Sequence, residues 1–296
     1  MNDLNDPFYR HSGQFGPAGL ATMLVLGSGA GAVLGAIYGV LIYWIPFIYL
    51  NFIGTIFVGF AAGGAVYFGA VAGKVRNSKL CALSGVTAGC VALWAAWVGW
   101  IYAFSADVET GVILLRPSYL WNAMVAIGKE GVWSIGRHGK EPVKGFILYL
   151  VWIIEAGIIV VAAAFTAYVI VSGKAFCERC NCWVSKKIKL PELRPPTDFQ
   201  VLEGLPVGDI SGLLTLGRGP EEGAHIQVEL LGCQTCDETY LVNVSIVVES
   251  TDKKGKTETK TTYLVNNLRV SAEDYQALRA FKGVAAVAEQ SEVSDQ

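Results

Sequence analysis

The chain has 296 residues, 53% of them hydrophobic and 16% charged, with a formal net charge of −2 and a mean hydropathy of +0.44. That apolar share exceeds what a soluble domain carries and excludes a single water-soluble globule. Charge is segregated: residues 1–173 hold 9 Lys/Arg and 7 Asp/Glu while residues 174–296 hold 14 and 18, so the sequence predicts a membrane α-helical half followed by a small α+β cytosolic domain.

Asn2 to Pro17 is polar and broken by Pro7 and Pro17, which predicts a flexible cytosolic tail over residues 1–18. It lacks the basic start and short apolar core of a signal peptide, so nothing is expected to be removed. Residues 19–173 then hold four apolar runs, Leu20 to Ile42, Ile48 to Val71, Leu80 to Phe104 and Phe146 to Val171. Each reaches the roughly 20 residues needed to cross about 30 Å of hydrocarbon. Four transmembrane helices are therefore expected.

Within the first run Gly27, Gly31, Gly35 and Gly39 recur every four residues, and Gly59 and Gly63 repeat that spacing in the second. In lipid, where burying apolar surface drives nothing, small residues let backbones approach and supply packing energy. The glycine-zipper pattern predicts that the second helix packs on the first, and it offers a face for a homo-oligomer. In the third run Trp94, Trp97 and Trp100 form an aromatic ridge, while Cys81 and Cys90 read as small apolar fillers.

Lys74, Arg76 and Lys79 crowd the short second connection without an acid, which places it in the cytoplasm by the positive-inside rule. Lys174, Arg179, Lys186, Lys187 and Lys189 follow the fourth run, two crossings later. Both observations give N-terminus in and C-terminus in, with a bacterial inner (plasma) membrane as the expected location. Residues 105–145 form the outer segment, with an interfacial helix from Arg116 to about Ile127. A glycine-rich loop is expected around Trp133, Gly136, Arg137, His138, Gly139 and Lys140.

Glu155 stands nine residues into the fourth run, about 14 Å along the helix. An ionised carboxylate at that depth costs at least a few kcal/mol, and no Lys or Arg lies inside any run to pair with it. The neutral acid is the expected form, with Asn51, Thr55 and Tyr102 as candidate hydrogen-bond partners at similar depth. Such an acid is either an interhelical hydrogen-bonding group or a proton- or cation-handling site.

Directly after the last run come Cys177-x2-Cys180 and Cys182, and later Cys233-x2-Cys236. Paired knuckles of this spacing offer four thiolates at about 2.3 Å to a tetrahedral ion, and seven cysteines with five of them crowded this way suit a reducing compartment. Cys177, Cys180, Cys233 and Cys236 are the expected zinc ligands, with Cys182 as a possible alternative. Over residues 176 to about 266 the arrangement resembles a zinc ribbon, in which each pair sits in a tight turn and the metal joins two hairpins. The resemblance implies a structural zinc.

The long insertion between the knuckles predicts short helices from Asp198 to Leu202 and from Asp209 to Leu216. Val/Ile/Tyr-rich alternation predicts strands from Ala224 to Leu231, Thr239 to Glu249 and Thr257 to Val265, the last two joined by a basic tip at Lys253, Lys254 and Lys256. Ser271 and Asp274 form a capping-box variant before a helix from Ala272 to Phe281. A net charge of −4 over residues 174–296 argues against nucleic acid as a partner.

No nucleotide loop, catalytic triad order or open catalytic metal set is legible, so an enzyme is not the leading expectation. The sequence favours a membrane-anchored interaction or scaffold module that presents a zinc domain to a cytosolic protein. A small proton- or cation-linked transporter or channel using Glu155 is the alternative, and a membrane thiol redox protein the second.

Overall fold

A computed structural model describes residues 6–45, 48–105, 116–131, 142–221, 223–236, 239–251 and 257–284. The glycine-rich loop around His138 and the lysine tip at Lys253, Lys254 and Lys256 lie outside the described residues. The chain divides into two compact units, His11–Gly173 and a second made of Met1–Arg10 with Lys174–Gln296.

The first unit is helical. Helices α1 (Pro17–Trp44), α2 (Ile48–Ala72), α3 (Ser78–Ser105) and α5 (Phe146–Ser172) are long and apolar enough to cross a membrane, and α4 (Pro117–Glu130) is shorter and amphipathic. Proline opens both α1 and α4, where its missing N–H leaves no helical bond unmade. Asn77 starts α3 by accepting the Leu80 N–H at 3.0 Å.

Small residues determine which helices touch. A Cβ at Gly31 would stand 2.6 Å from the Ala88 carbonyl oxygen, and at Gly35 and Gly39 it would run into the carbonyls of Ala92 and Ala96. The main partner of the first glycine row is therefore α3, not α2. Alanines at four-residue spacing fill a glycine groove with their backbone, whereas two glycine grooves face to face would leave a void. Helix α2 meets α1 at Gly69 and Gly73, against Met23 and Gly19, and Gly27 also abuts Val66. Its own Gly59 and Gly63 turn to Ile159, Ala163 and Thr166 on α5, which Gly85 and Gly89 of α3 approach as well.

The tryptophan ridge supports α4. Ile101 and Leu120 are buried together, with Trp94, Trp97, Trp100, Met124 and Ile127 packed around them. Trp97 stands edge-on to Trp152 of α5 at 4.8 Å between ring centroids.

The second unit is built on a four-stranded antiparallel sheet of order β3-β4-β5-β6, from β3 (Lys186–Lys189), β4 (Ala224–Gly232), β5 (Tyr240–Thr251) and β6 (Thr257–Arg269). A separate small hairpin, β1 (Phe176–Cys177) with β2 (Cys182–Trp183), precedes it. Asp198 and Asp209 do initiate local turns, accepting the N–H groups of Gln200 and Ser211, but the segments that follow are 3-10 turns (Phe199–Leu202 and Ser211–Thr215). Leu202, Leu205, Ile210, Leu213 and Leu216 cover one face of the sheet with Ile226, Val228, Leu230, Val242 and Val244.

Helix α6 (Ala272–Ala280) adds Tyr275 and Leu278 to that core. Ser271 accepts the Asp274 N–H at 3.0 Å and donates to its carboxylate at 2.7 Å. Replacing Ser271 by Ala is expected to cost about 1 kcal/mol. Amide exchange over α6 checks this; unchanged protection there would show that packing alone holds the helix.

The stretch expected to be a flexible tail is held in both units. Pro7 accepts the Arg269 N–H at 2.7 Å and Tyr9 donates its N–H to Asn267 at 2.8 Å, which extends the sheet beyond β6. Phe8 packs on the main core and Tyr9 on the cysteine-side core, so apolar burial offsets the cost of ordering the segment. Within the helical unit the same stretch goes on to place His11 Nε2 2.9 Å from the Val171 carbonyl, and Gln14 accepts the Arg76 N–H.

Candidate metal centre

The two knuckles are turns of two hairpins. In the first, Phe176 pairs with Trp183 and Cys177 with Cys182, leaving Cys180 in the turn, where Asn181 takes the left-handed conformation at φ 49°. In the second, Cys233 directly follows β4 and the turn carries Cys236 toward β5. Strand β3 binds the two together, since Lys186, three residues after β2, pairs with Gly232, the residue before Cys233.

The four thiols of Cys177, Cys180, Cys233 and Cys236 lie within 4.8 Å of one another and could hold a metal ion. Cys177 and Cys236 are 3.6 Å apart at sulfur. Beneath them lie Ala175, Val184, Leu231 and Leu241, a small apolar base separate from the main core. Cys177 and Cys233 are buried, and Cys180 and Cys236 half-buried.

Cys182 is close by. Cross-strand partners project to the same side of a hairpin, so its pairing with Cys177 brings it to the cluster, with Sγ 3.8 Å from that of Cys233. An alternative ligand would need that proximity, but the four mutually close thiols do not include Cys182.

The knuckle backbone favours thiolate. Burial opposes ionisation of Cys233, but the N–H groups of Thr235 and Cys236 and the thiols of Cys177 and Cys182 donate to it and bring it down to about 6. The neighbours that share its charge move the other way. Cys180 is raised by its hydrogen bond to Cys236 and then by burial, and Cys182 is raised chiefly by burial. Cys233 is thus placed to ionise first, with Cys180 and Cys182 keeping their protons to higher pH. A cation binding all four would displace those protons.

Two residues at the site carried no signal in the sequence. Gln234, inside the second knuckle, donates to the Trp183 carbonyl at 3.2 Å and to Cys182 Sγ at 3.5 Å, and accepts the Ser185 N–H at 3.3 Å. It fastens the second turn to β2. Tyr9 accepts the Phe176 N–H at 3.0 Å and donates to its carbonyl at 3.3 Å, bracing the residue before Cys177. The Phe176 ring meets Trp183 edge-on at 5.1 Å, and Lys174 lies 5.8 Å over that indole.

Of the groups expected near Glu155, Asn51 and Thr55 belong to one hydrogen-bonded set. The Thr55 hydroxyl is 2.7 Å from the Tyr38 hydroxyl, and both reach the Asn51 carbonyl, at 2.7 and 3.2 Å. Glu155 stands one turn before Ile159, which packs with Tyr38, Val58 and Ala92. Structure thus adds Tyr38 to the polar set of Asn51 and Thr55. Tyr102 is 41% exposed.

Compared with known protein families, with curated proteins and with solved structures, the chain matches none.

Proposed function

We propose that the chain is a multi-pass protein of a bacterial inner membrane with both termini in the cytosol, and that it works as an interaction or scaffold module displaying a zinc-ribbon-type domain to a cytosolic protein. The observation that carries this reading is the closed set of four thiols from two hairpin turns. A zinc–sulfur bond of about 2.3 Å sets a tetrahedral sulfur–sulfur edge of about 3.8 Å, close to the 3.6 Å between Cys177 and Cys236. Four protein ligands leave no position for water or substrate, so the ion ties the β1–β2 hairpin to the sheet rather than performing chemistry. Thiolate softness and tetrahedral geometry favour zinc over the hard cations.

Pairing of Pro7–Tyr9 with β6 supports a common side for the two ends of the chain. Among the described residues, four helices long and apolar enough to cross a membrane lie between them, an even number. The loop carrying Lys74, Arg76 and Lys79 then marks that side as the cytosol.

Placement of Glu155 one turn before Ile159, which packs against Tyr38 of the hydrogen-bonded Tyr38–Thr55 pair, favours one further reading, a proton- or cation-linked transporter. Reconstitution separates the two. For the interaction module, a stoichiometric partner captured from source membranes is kept in Glu155→Gln and lost in Cys233→Ser. Proton or cation flux in proteoliposomes, abolished in Glu155→Gln and kept in Cys233→Ser, would instead favour the transporter.

A further inference from the structure

The metal reading leaves one sulfur over. Four thiolates complete a tetrahedral shell, yet Cys182 sits 3.8 Å from Cys233 at sulfur, held there by its pairing with Cys177 and by the Gln234 amide. It is half-buried, within reach of a small solute, whereas Cys233 beneath it is buried. A thiol that binds no metal but touches a ligand has the geometry of an attacking or resolving partner for that ligand.

We propose that Cys182 and Cys233 form a peroxide-responsive dithiol whose closure to a disulfide discharges the metal. This rests on the metal reading above. In the first step a hydroperoxide oxidises the Cys182 thiol to a sulfenic acid: an S–O bond forms, the O–O bond breaks, and with hydrogen peroxide the other oxygen leaves as water carrying the thiol proton. In the second, the Cys233 sulfur leaves the metal and attacks the Cys182 sulfur. The S–S bond forms, the S–O bond breaks, and hydroxide leaves to the solvent, where buffer acid protonates it to water. Two sulfurs have each given one electron to the peroxide. The sulfurs need only close from 3.8 Å to the disulfide length of about 2.05 Å.

Removing Cys233 leaves the ion with Cys177, Cys180 and Cys236 and an open position, so it passes to a competing chelator. Reduction restores the fourth ligand. The β1–β2 hairpin would thereby be released from, and returned to, the β4–β5 turn according to peroxide level. Gln234, which spans Cys182 and the Trp183 carbonyl, keeps the two turns in register for closure.

The test uses full-length protein in detergent, loaded with zinc and counted for metal before treatment with hydrogen peroxide in the presence of a chromogenic zinc chelator. The expected result is one zinc released per Cys182–Cys233 disulfide found by peptide mapping, reversed by dithiothreitol and zinc. Cys182→Ser should load the same zinc and release it at least about tenfold more slowly. Release from Cys182→Ser at the wild-type rate overturns the proposal, as does a disulfide confined to the four ligands or joining Cys182 to Cys177. Protein that holds one zinc and keeps it through oxidation overturns this inference alone. Protein that holds no zinc before oxidation overturns the metal reading and this one with it.

Discussion

Changing Cys233 to Ser is expected to empty the metal site and unfold the region from Phe176 to Val184, while the main sheet stays folded. Binding of a structural zinc is worth on the order of 10 kcal/mol in small domains, comparable with the roughly 5–15 kcal/mol that holds a whole domain together. Apart from the cysteines, the first hairpin is held by Tyr9, Gln234 and the Phe176–Trp183 contact. Its two strands have two residues each, and its apolar base is small, Ala175, Val184, Leu231 and Leu241 with Tyr9 against them around the cysteines. Among the described residues no cysteine belongs to the main core, which should outlast the loss. Hydrogen exchange reads the difference directly: amides of Phe176–Val184 and of the turn after Gly232 lose protection, and those of Ile226–Leu230 and Val242–Val244 keep it. Loss of protection across the whole sheet would mean that the metal nucleates the entire unit. Chelation of the wild-type protein should reproduce the variant.

The second large effect is expected in the helical unit. Gly35→Leu would drive its side chain into the Ala92 carbonyl, a backbone atom that cannot rotate away. Helices α1 and α3 would have to separate along the contact that runs from Gly31 to Gly39, at a cost of about 3 kcal/mol. Gly29→Leu is the matched control. It lies on the same helix with nothing within 4 Å of a Cβ, and should change stability by no more than about 0.5 kcal/mol. Thermal unfolding in detergent should therefore separate two leucines six residues apart. Equal losses would mean that glycine acts through helix flexibility and not through close packing.

The contrast between these two glycines shows what the sequence could convey. The four-residue spacing announced a groove, because period and residue size are local properties. What fills the groove is not local, and alanines at 88, 92 and 96 of α3 carry no mark that separates them from the many other alanines of the helical half. The same limit applies in the sheet unit. Strands β4, β5 and β6 were legible from alternation, but Lys186-Lys187-Ile188-Lys189 carries no strand-like alternation and entered the sequence reading only through its charge. It is an edge strand, where charge guards against further pairing.

At the site, the four metal-type cysteines were legible because knuckle spacing is imposed by the geometry of a turn around an ion. Cys182 was visible as a fifth thiol, but its closeness to Cys233 depends on the β1–β2 register and could not be read. Tyr9 and Gln234 had no signal at all. Tyr9 reaches Phe176 across 167 residues of sequence, and its neighbours Pro7 and Arg10 look like ordinary tail residues. Glu155 was conspicuous as an acid in an apolar run, whereas Tyr38 was hidden because aromatic residues are common near helix ends.

Native mass spectrometry of the full-length protein released from detergent tests the central claim most directly. One zinc ion per chain is the expected result, absent from Cys177→Ser and from Cys233→Ser and retained by Glu155→Gln. A metal-free wild-type protein, purified under reducing conditions with zinc supplied, would contradict the structural metal centre and every role assigned to it.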